Sequence, residues 1–202
     1  MADADDDPPG RVSRRTFLKT AGVGAAATSL RTGFPLESPP PILGPGAEPV
    51  SLRVNGALRT ATVEPRVTLL RALRTELELT GAKEVCNRGG CGACTVLLDG
   101  SPVYSCMLLA VDAQGHEITT VEGLGTPEKM SPVQAAFVEQ DALQCGFCTP
   151  GFVVAATAFL KSHPDPSIDG MKEGLSGNLC RCGTYSRIFE AVQKAAHATR
   201  KA

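Results

Sequence analysis

Cys86-Asn-Arg-Gly-Gly-Cys-Gly-Ala-Cys94, running directly into Thr95-Val-Leu-Leu98, is the stretch that decides how this chain folds. Three thiols fall within nine residues on a Gly-rich loop. Gly89, Gly90 and Gly92 give the loop access to positive φ, so its backbone N–H groups approach the sulfurs and favour an anionic centre. The apolar run Thr95–Leu98 reads as a short buried strand ending in an Asp99-Gly100 turn. Upstream, Ser51–Val54 and Ala57–Val63 flank Asn55-Gly56, a strong hairpin signal. Between hairpin and loop, Thr68 is placed to cap a helix whose Leu69, Leu70, Leu73 and Leu77 recur at helical spacing, with Gly81 as its stop. Strands, one helix and a Cys-rich loop predict an α+β half.

The full spacing is Cys86-x4-Cys91-x2-Cys94, with Cys106 after eleven more residues. This is a short form of the plant-type [2Fe-2S] pattern, and it makes Cys86, Cys91, Cys94 and Cys106 one candidate ligand set. Zinc is the alternative. Structural zinc favours two short Cys pairs separated by a longer segment, unlike three thiols clustered on a glycine loop.

The chain contains eight cysteines, and the other four are Cys145, Cys148, Cys180 and Cys182. They stand in Leu143-Gln-Cys-Gly-Phe-Cys-Thr-Pro-Gly151 and Asn178-Leu-Cys-Arg-Cys-Gly183. Each pair leads into a helix start. Ser131-Pro132 opens a helix through Glu139. Thr149-Pro150 opens another over Phe152–Leu160, apolar nearly all round and therefore buried, which His163-Pro164 stops. Ser167 caps a shorter helix towards Leu175, with Gly177 as its break. Ser186 starts the last helix, with Ile188, Phe189, Val192, Ala195 and Ala196 on one face. Four helices and no strand predict an all-α half, in which two helix N-termini face a second thiol centre. The C-x2-C plus C-x-C spacing alone also suits zinc.

Composition bounds the rest. The chain has 202 residues, a net charge of -1, seven Phe, two Tyr and no Trp, which gives no electrostatic hold on nucleic acid. Cysteine at about 4% is well below the level of small disulfide-stapled chains. His116, His163 and His197 lie far apart in sequence and outside any ligand motif, so no catalytic residue or substrate site is expected here. Ser13-Arg-Arg-Thr-Phe-Leu-Lys19, followed by the weakly apolar Ala21–Leu30, reads as a twin-arginine export signal over residues 1–32. Its apolar run of about ten residues is half the roughly twenty that span a bilayer, so no permanent membrane span is expected. Gly22-Val-Gly24-Ala-Ala-Ala27 fits a nucleotide fingerprint only by chance, since no strand precedes it. The twin-arginine route carries proteins already folded, so the thiols meet metal before an oxidant and a disulfide framework is disfavoured. Six prolines between Gly33 and Pro49 predict an extended linker over 33–49. Folded domains are expected over 50–126 and 127–202.

Quoted in order, CNRGGCGACTV, ALQCGFCTPG and GNLCRCGTY resemble the iron–sulfur small subunit of the xanthine oxidase family of molybdenum hydroxylases, over about Ser51 to Ala196. The resemblance implies a β-grasp plant-type [2Fe-2S] ferredoxin domain followed by an all-α four-helix [2Fe-2S]-binding domain. It also implies a large subunit holding molybdopterin, in the cytosine dinucleotide form, and a further FAD subunit or a cytochrome as electron acceptor. Gln144 matches the family glutamine that contacts the pterin, and Cys182 the ligand cysteine beside the pterin amino group. The export signal, and Cys182-Gly-Thr-Tyr185 where many relatives read Cys-Thr-Gly-Tyr, resemble periplasmic aldehyde oxidoreductases and isoquinoline oxidoreductase-like enzymes. The expected role is single-electron transfer during oxidation of an aldehyde or N-heterocycle. A free-standing two-cluster periplasmic ferredoxin, and a structural zinc or disulfide protein, are the alternatives.

Overall fold

The structure, a computed structural model, describes residues 43–200, so the export signal and most of the Pro-rich stretch lie outside the described residues. β1 (Glu48–Val54) and β2 (Ala57–Val63) form the expected hairpin. Asn55 and Gly56 both take positive φ, 52° and 77°, which a two-residue turn of the twist-matching kind requires. β1 already includes Glu48 and Pro49, which sequence reading assigned to the linker. Val50, Leu52 and Val54 alternate inwards along β1 and are buried, as period-two patterning dictates.

Thr68 caps α1 (Leu69–Arg71), its hydroxyl accepting from the Arg71 N–H, and the chain winds on through a wider π-type turn over Ala72–Glu76. The Leu77 N–H then donates to the Ala72 carbonyl at 3.2 Å. Gly81 does not end this helix. Glu78 takes the left-handed conformation (φ 56°) just past it, and Gly81 serves a close approach instead. Its N–H donates to the Glu122 carboxylate at 2.7 Å, and a Cβ there would collide with Val121.

β3 (Thr95–Leu98) and β4 (Ser101–Tyr104) are joined by Asp99-Gly100, again with both φ positive. β5 (Glu117–Thr119) completes a mixed sheet in the order β2-β1-β5-β3-β4, parallel to β1 and antiparallel to β3. Leu69, Leu70 and Leu73 from the helix pack on Leu52, Val96 and Ile118 from the sheet. This is the β-grasp arrangement with one helix across a mixed sheet.

The second half is helical: α2 (Pro132–Glu139), α3 (Thr149–Ser162), α4 (Ile168–Gly174) and α5 (Tyr185–Thr199). Ser131 and Gln134 form a reciprocal capping box at α2, and Ser167 caps α4. The other two helix starts differ from the sequence expectation in detail. Thr149 is the first helical residue of α3 rather than its cap, a place taken by Cys148. α5 begins one residue before Ser186, with Thr184 as its cap residue. Neither cap residue bonds its helix through its side chain. Phe137, Phe152, Met171, Ile188 and Val192 form the core, and Ala191 joins the buried face of α5.

The halves interlock beside the cysteine loops. α3 packs against β3, and a Cβ on Gly151 would lie far inside contact distance of the Gly92 carbonyl oxygen. Asn178, 5% exposed, donates from Nδ2 to the Gly92 carbonyl at 2.9 Å. The Leu179 N–H donates to the Cys91 carbonyl at 2.9 Å. Tyr104 Oη donates to the Gly177 carbonyl, also at 2.9 Å.

Candidate metal centres

The glycine loop gathers its thiols two by two, Cys86 beside Cys91 and Cys94 beside Cys106. Gly89 and Gly92 adopt positive φ, 69° and 70°, whereas Gly90 does not. The Gly89 N–H points at Cys106 Sγ (3.3 Å) and the Gly90 N–H at Cys86 Sγ (3.4 Å), so backbone donors already face the sulfurs. N–H donation, chiefly from Arg88, lowers the Cys86 thiol to about 7, while burial pushes Cys94 up to about 11. The Tyr104 phenol is raised by burial and by the neighbouring thiols Cys94, Cys91, Cys106 and Cys86.

The second quartet has the same pairing: Cys145 with Cys182, and Cys148 with Cys180. Gly146 and Gly183 take positive φ, 83° and 79°, at the bends that return each loop to its helix. Cys148 is the N-cap residue of α3, and Cys182 lies two residues before the N-cap of α5, so both helix N-termini adjoin the thiols. Burial pushes Cys148 up to about 12. Burial also opposes ionisation of Cys180, yet the Thr184 hydroxyl and N–H, the Cys148 side chain and the Cys182 N–H together hold that thiol at about 7. The Phe147 N–H, then Cys182, lowers Cys145. Low and high thiols side by side suit a site where metal charge drives off the remaining protons.

Among the described residues, no three His, Cys, Asp or Glu side chains gather as they would about one ion. Two facing pairs with backbone donors aimed at sulfur fit a two-iron rhomb, whose irons each take two thiolates. One further observation fits a group that brings its own acceptors. Thr149 Oγ1, next to Cys148, is buried without a hydrogen-bond partner in the protein.

Exposure divides the second centre. Cys180 is buried, whereas Cys145 and Cys182 are exposed and Gln144 lies exposed beside Cys145. Leu143 (39% exposed) and Phe147 (58%) flank them as uncovered apolar side chains. The histidines are remote from both centres: His116 pairs with Asp99, His163 closes α3 and His197 lies in the last turn of α5. Sequence reading missed Thr184, Asn178 and the two tyrosines. The tyrosines are the only ones in the chain, and both phenols hold the segment leading into Cys180, Tyr104 at Gly177 and Tyr185 by accepting from the Cys180 N–H at 2.8 Å.

The sheet-and-loop half and the helical half define a protein of two successive [2Fe-2S] domains. Residues 52–119 match the family described as 2Fe-2S iron-sulfur cluster binding domain, and residues 120–193 match the [2Fe-2S] binding domain family. Residues 11–30 match the twin-arginine translocation signal family. The chain is 41% identical to the aldehyde oxidoreductase iron-sulfur-binding subunit PaoA of Escherichia coli over 202 residues, covering 92% of this chain and 88% of that one. It is 49% identical to the nicotine 6-hydroxylase small subunit of Paenarthrobacter nicotinovorans over 143 residues, 71% of this chain and 86% of the relative. Quinoline 2-oxidoreductase from Pseudomonas putida superposes with a TM-score of 0.73 at 46% identity, over 77% of this chain and 97% of that chain. The aldehyde oxidoreductase of Desulfovibrio desulfuricans gives the same TM-score of 0.73 at 41% identity, with 76% of this chain matching 17% of a longer one.

The chain belongs to the iron–sulfur small subunits of the xanthine oxidase family of molybdenum hydroxylases. It is thus the electron-transfer subunit of an oxidoreductase complex. No helix of the described residues is long and apolar enough to cross a membrane.

Proposed function

We propose that this subunit carries electrons one at a time from the molybdopterin of a large subunit, through a centre held by Cys145, Cys148, Cys180 and Cys182, to a centre held by Cys86, Cys91, Cys94 and Cys106. A flavin subunit or a cytochrome then takes them, during oxidation of an aldehyde or N-heterocycle in the periplasm. A [2Fe-2S] group, when bound, supplies one-electron chemistry that splits the two-electron oxidation of substrate into single steps. The chain supplies position and environment. The helical domain, residues 127–202, offers exposed Gln144 and Cys182 to the pterin. The ferredoxin domain, residues 50–126, offers its partly exposed loop around Cys86 to the acceptor.

The observation that carries this reading is the hydrogen bond from the Leu179 N–H to the Cys91 carbonyl at 2.9 Å. It ties the residue before Cys180 to a cysteine of the other quartet, so a short run of bonded atoms joins the two sets of sulfurs. The Asn178 and Tyr104 hydrogen bonds hold the two loops in that register. The twin-arginine signal supports the periplasmic setting. The identity to an aldehyde oxidoreductase subunit supports an aldehyde as substrate, and the nicotine and quinoline enzymes support an N-heterocycle as the other class.

Two measurements test this. Native chain isolated from the periplasm should bring down a large molybdenum-containing subunit, and failure to do so would favour a free-standing ferredoxin. Gln144→Ala should leave both cluster spectra intact while slowing reduction of the clusters by substrate or loosening the large subunit. Loss of a cluster would show that Gln144 is a structural residue instead.

A further inference from the structure

We infer that Thr184 sets the reduction potential of the second centre, by donating its hydroxyl hydrogen to the Cys180 sulfur. Thr184 Oγ1 lies 3.3 Å from Cys180 Sγ. Both residues are buried, Thr184 at 5% exposure and Cys180 at 7%. A metal-bound thiolate has no proton to give, so in the loaded protein the hydroxyl is the donor. The bond withdraws negative charge from the ligand sulfur and favours the reduced, more negative state. Exclusion of water strengthens that effect.

The local backbone makes the contact specific to this order of residues. Gly183 takes φ 79°, a conformation costly for Thr, and a Cβ on it would meet nothing within 4 Å. The hydroxyl therefore sits one position later, on the N-cap residue of α5, where it turns onto Cys180 instead of capping the helix. The Cys180 N–H is taken by Tyr185 Oη, which fixes the sulfur's own backbone against the same helix start. Thr184 is thus a positioning and tuning residue of the centre beside exposed Gln144 and Cys182.

The inference rests on Cys180 being a ligand of the second centre, and the test separates the two. Full-length wild-type, Thr184→Val, Thr184→Ser and Thr184→Ala chains, each isolated with the large subunit, are titrated redoxmetrically and read by electron paramagnetic resonance (EPR). About four irons per chain, two distinct wild-type signals and the loss of one of them in Cys180→Ala establish the ligand reading. At the wild-type midpoint, Thr184→Val and Thr184→Ala should lower the reduced-to-oxidised ratio of one centre roughly tenfold, or about 59 mV for one electron. The other centre should be unmoved, and Thr184→Ser should restore the shifted one. Three results overturn the inference: unchanged midpoints in all variants, equal shifts of both centres, or a Ser variant that behaves like Val. Loss of iron from both Val and Ala variants also overturns it, since the hydroxyl would then be needed to build the site rather than to tune it.

Discussion

Gly151→Ala puts helix propensity and inter-domain packing in direct opposition. Gly151 is the third residue of α3, where Ala is ordinarily the better helix former by about 0.8–1.0 kcal/mol. An isolated α3 would gain that amount. In the folded chain the new methyl would overlap the Gly92 carbonyl oxygen and lie 3.1 Å from Ala93 Cα. That carbonyl has little freedom to retreat. It accepts from the Thr95 N–H (3.1 Å), the Thr95 hydroxyl (2.6 Å) and Asn178 Nδ2 (2.9 Å). Overpacking costs about 1–3 kcal/mol, and each hydrogen bond surrendered to relieve it costs about 0.5–1.5 kcal/mol. Allowing for the helical gain, the net expectation is a loss of about 1–3 kcal/mol. Thermal unfolding of the loaded chain measures it, at about 2–4 °C per kcal/mol for a chain of this size. Because the displaced atoms belong to the loop between Cys91 and Cys94, electron exchange between the centres should slow as well. A variant as stable as wild type, with unchanged exchange, would refute the close packing of α3 on that loop.

Two further expectations concern single interactions. Ser131→Ala removes the hydroxyl half of the α2 capping box and should cost about 0.5–2 kcal/mol in unfolding experiments, with both centres spectroscopically intact. The His116 ring, and then the Glu117 N–H, hold the exposed Asp99 carboxyl below its ordinary value. With its folded value depressed, Asp99 contributes stability above the ordinary carboxylate range and loses it as pH falls through the lowered value. His116→Ala should move the Asp99 midpoint back up, read by NMR titration, but only in part, because the Glu117 N–H remains 2.8 Å from Oδ1.

What could be read from sequence follows from how local each determinant is. Asn55-Gly56 announces its hairpin, and Asp99-Gly100 its turn, because a two-residue turn is decided by the φ of its own residues. The pairing of Cys86 with Cys91 is local in the same way, since both thiols lie on one loop. β5 is not local. It is three residues long, and its partners on β1 come from the far end of the domain, Arg53 against Glu117 and Val54 against Ile118. Thr149 carried the right residue type for a cap, but the helix begins at Thr149 itself and Cys148 occupies the cap position. Gly81 looked like a helix stop, while the left-handed residue is Glu78, whose conformation follows the wide turn before it. The contacts joining the two centres were out of reach: Gly92 and Asn178 are 86 residues apart, and nothing in either segment names the other.

The most direct test of the central claim is EPR of the dithionite-reduced full chain in complex with its large subunit, for wild type, Cys106→Ala and Cys148→Ala. Two distinct [2Fe-2S] signals are expected in wild type. Cys106→Ala should remove one and Cys148→Ala the other, each leaving its counterpart in place. A single signal in wild type, zinc in place of iron, or one substitution erasing both signals would contradict two independent electron-carrying centres in this chain.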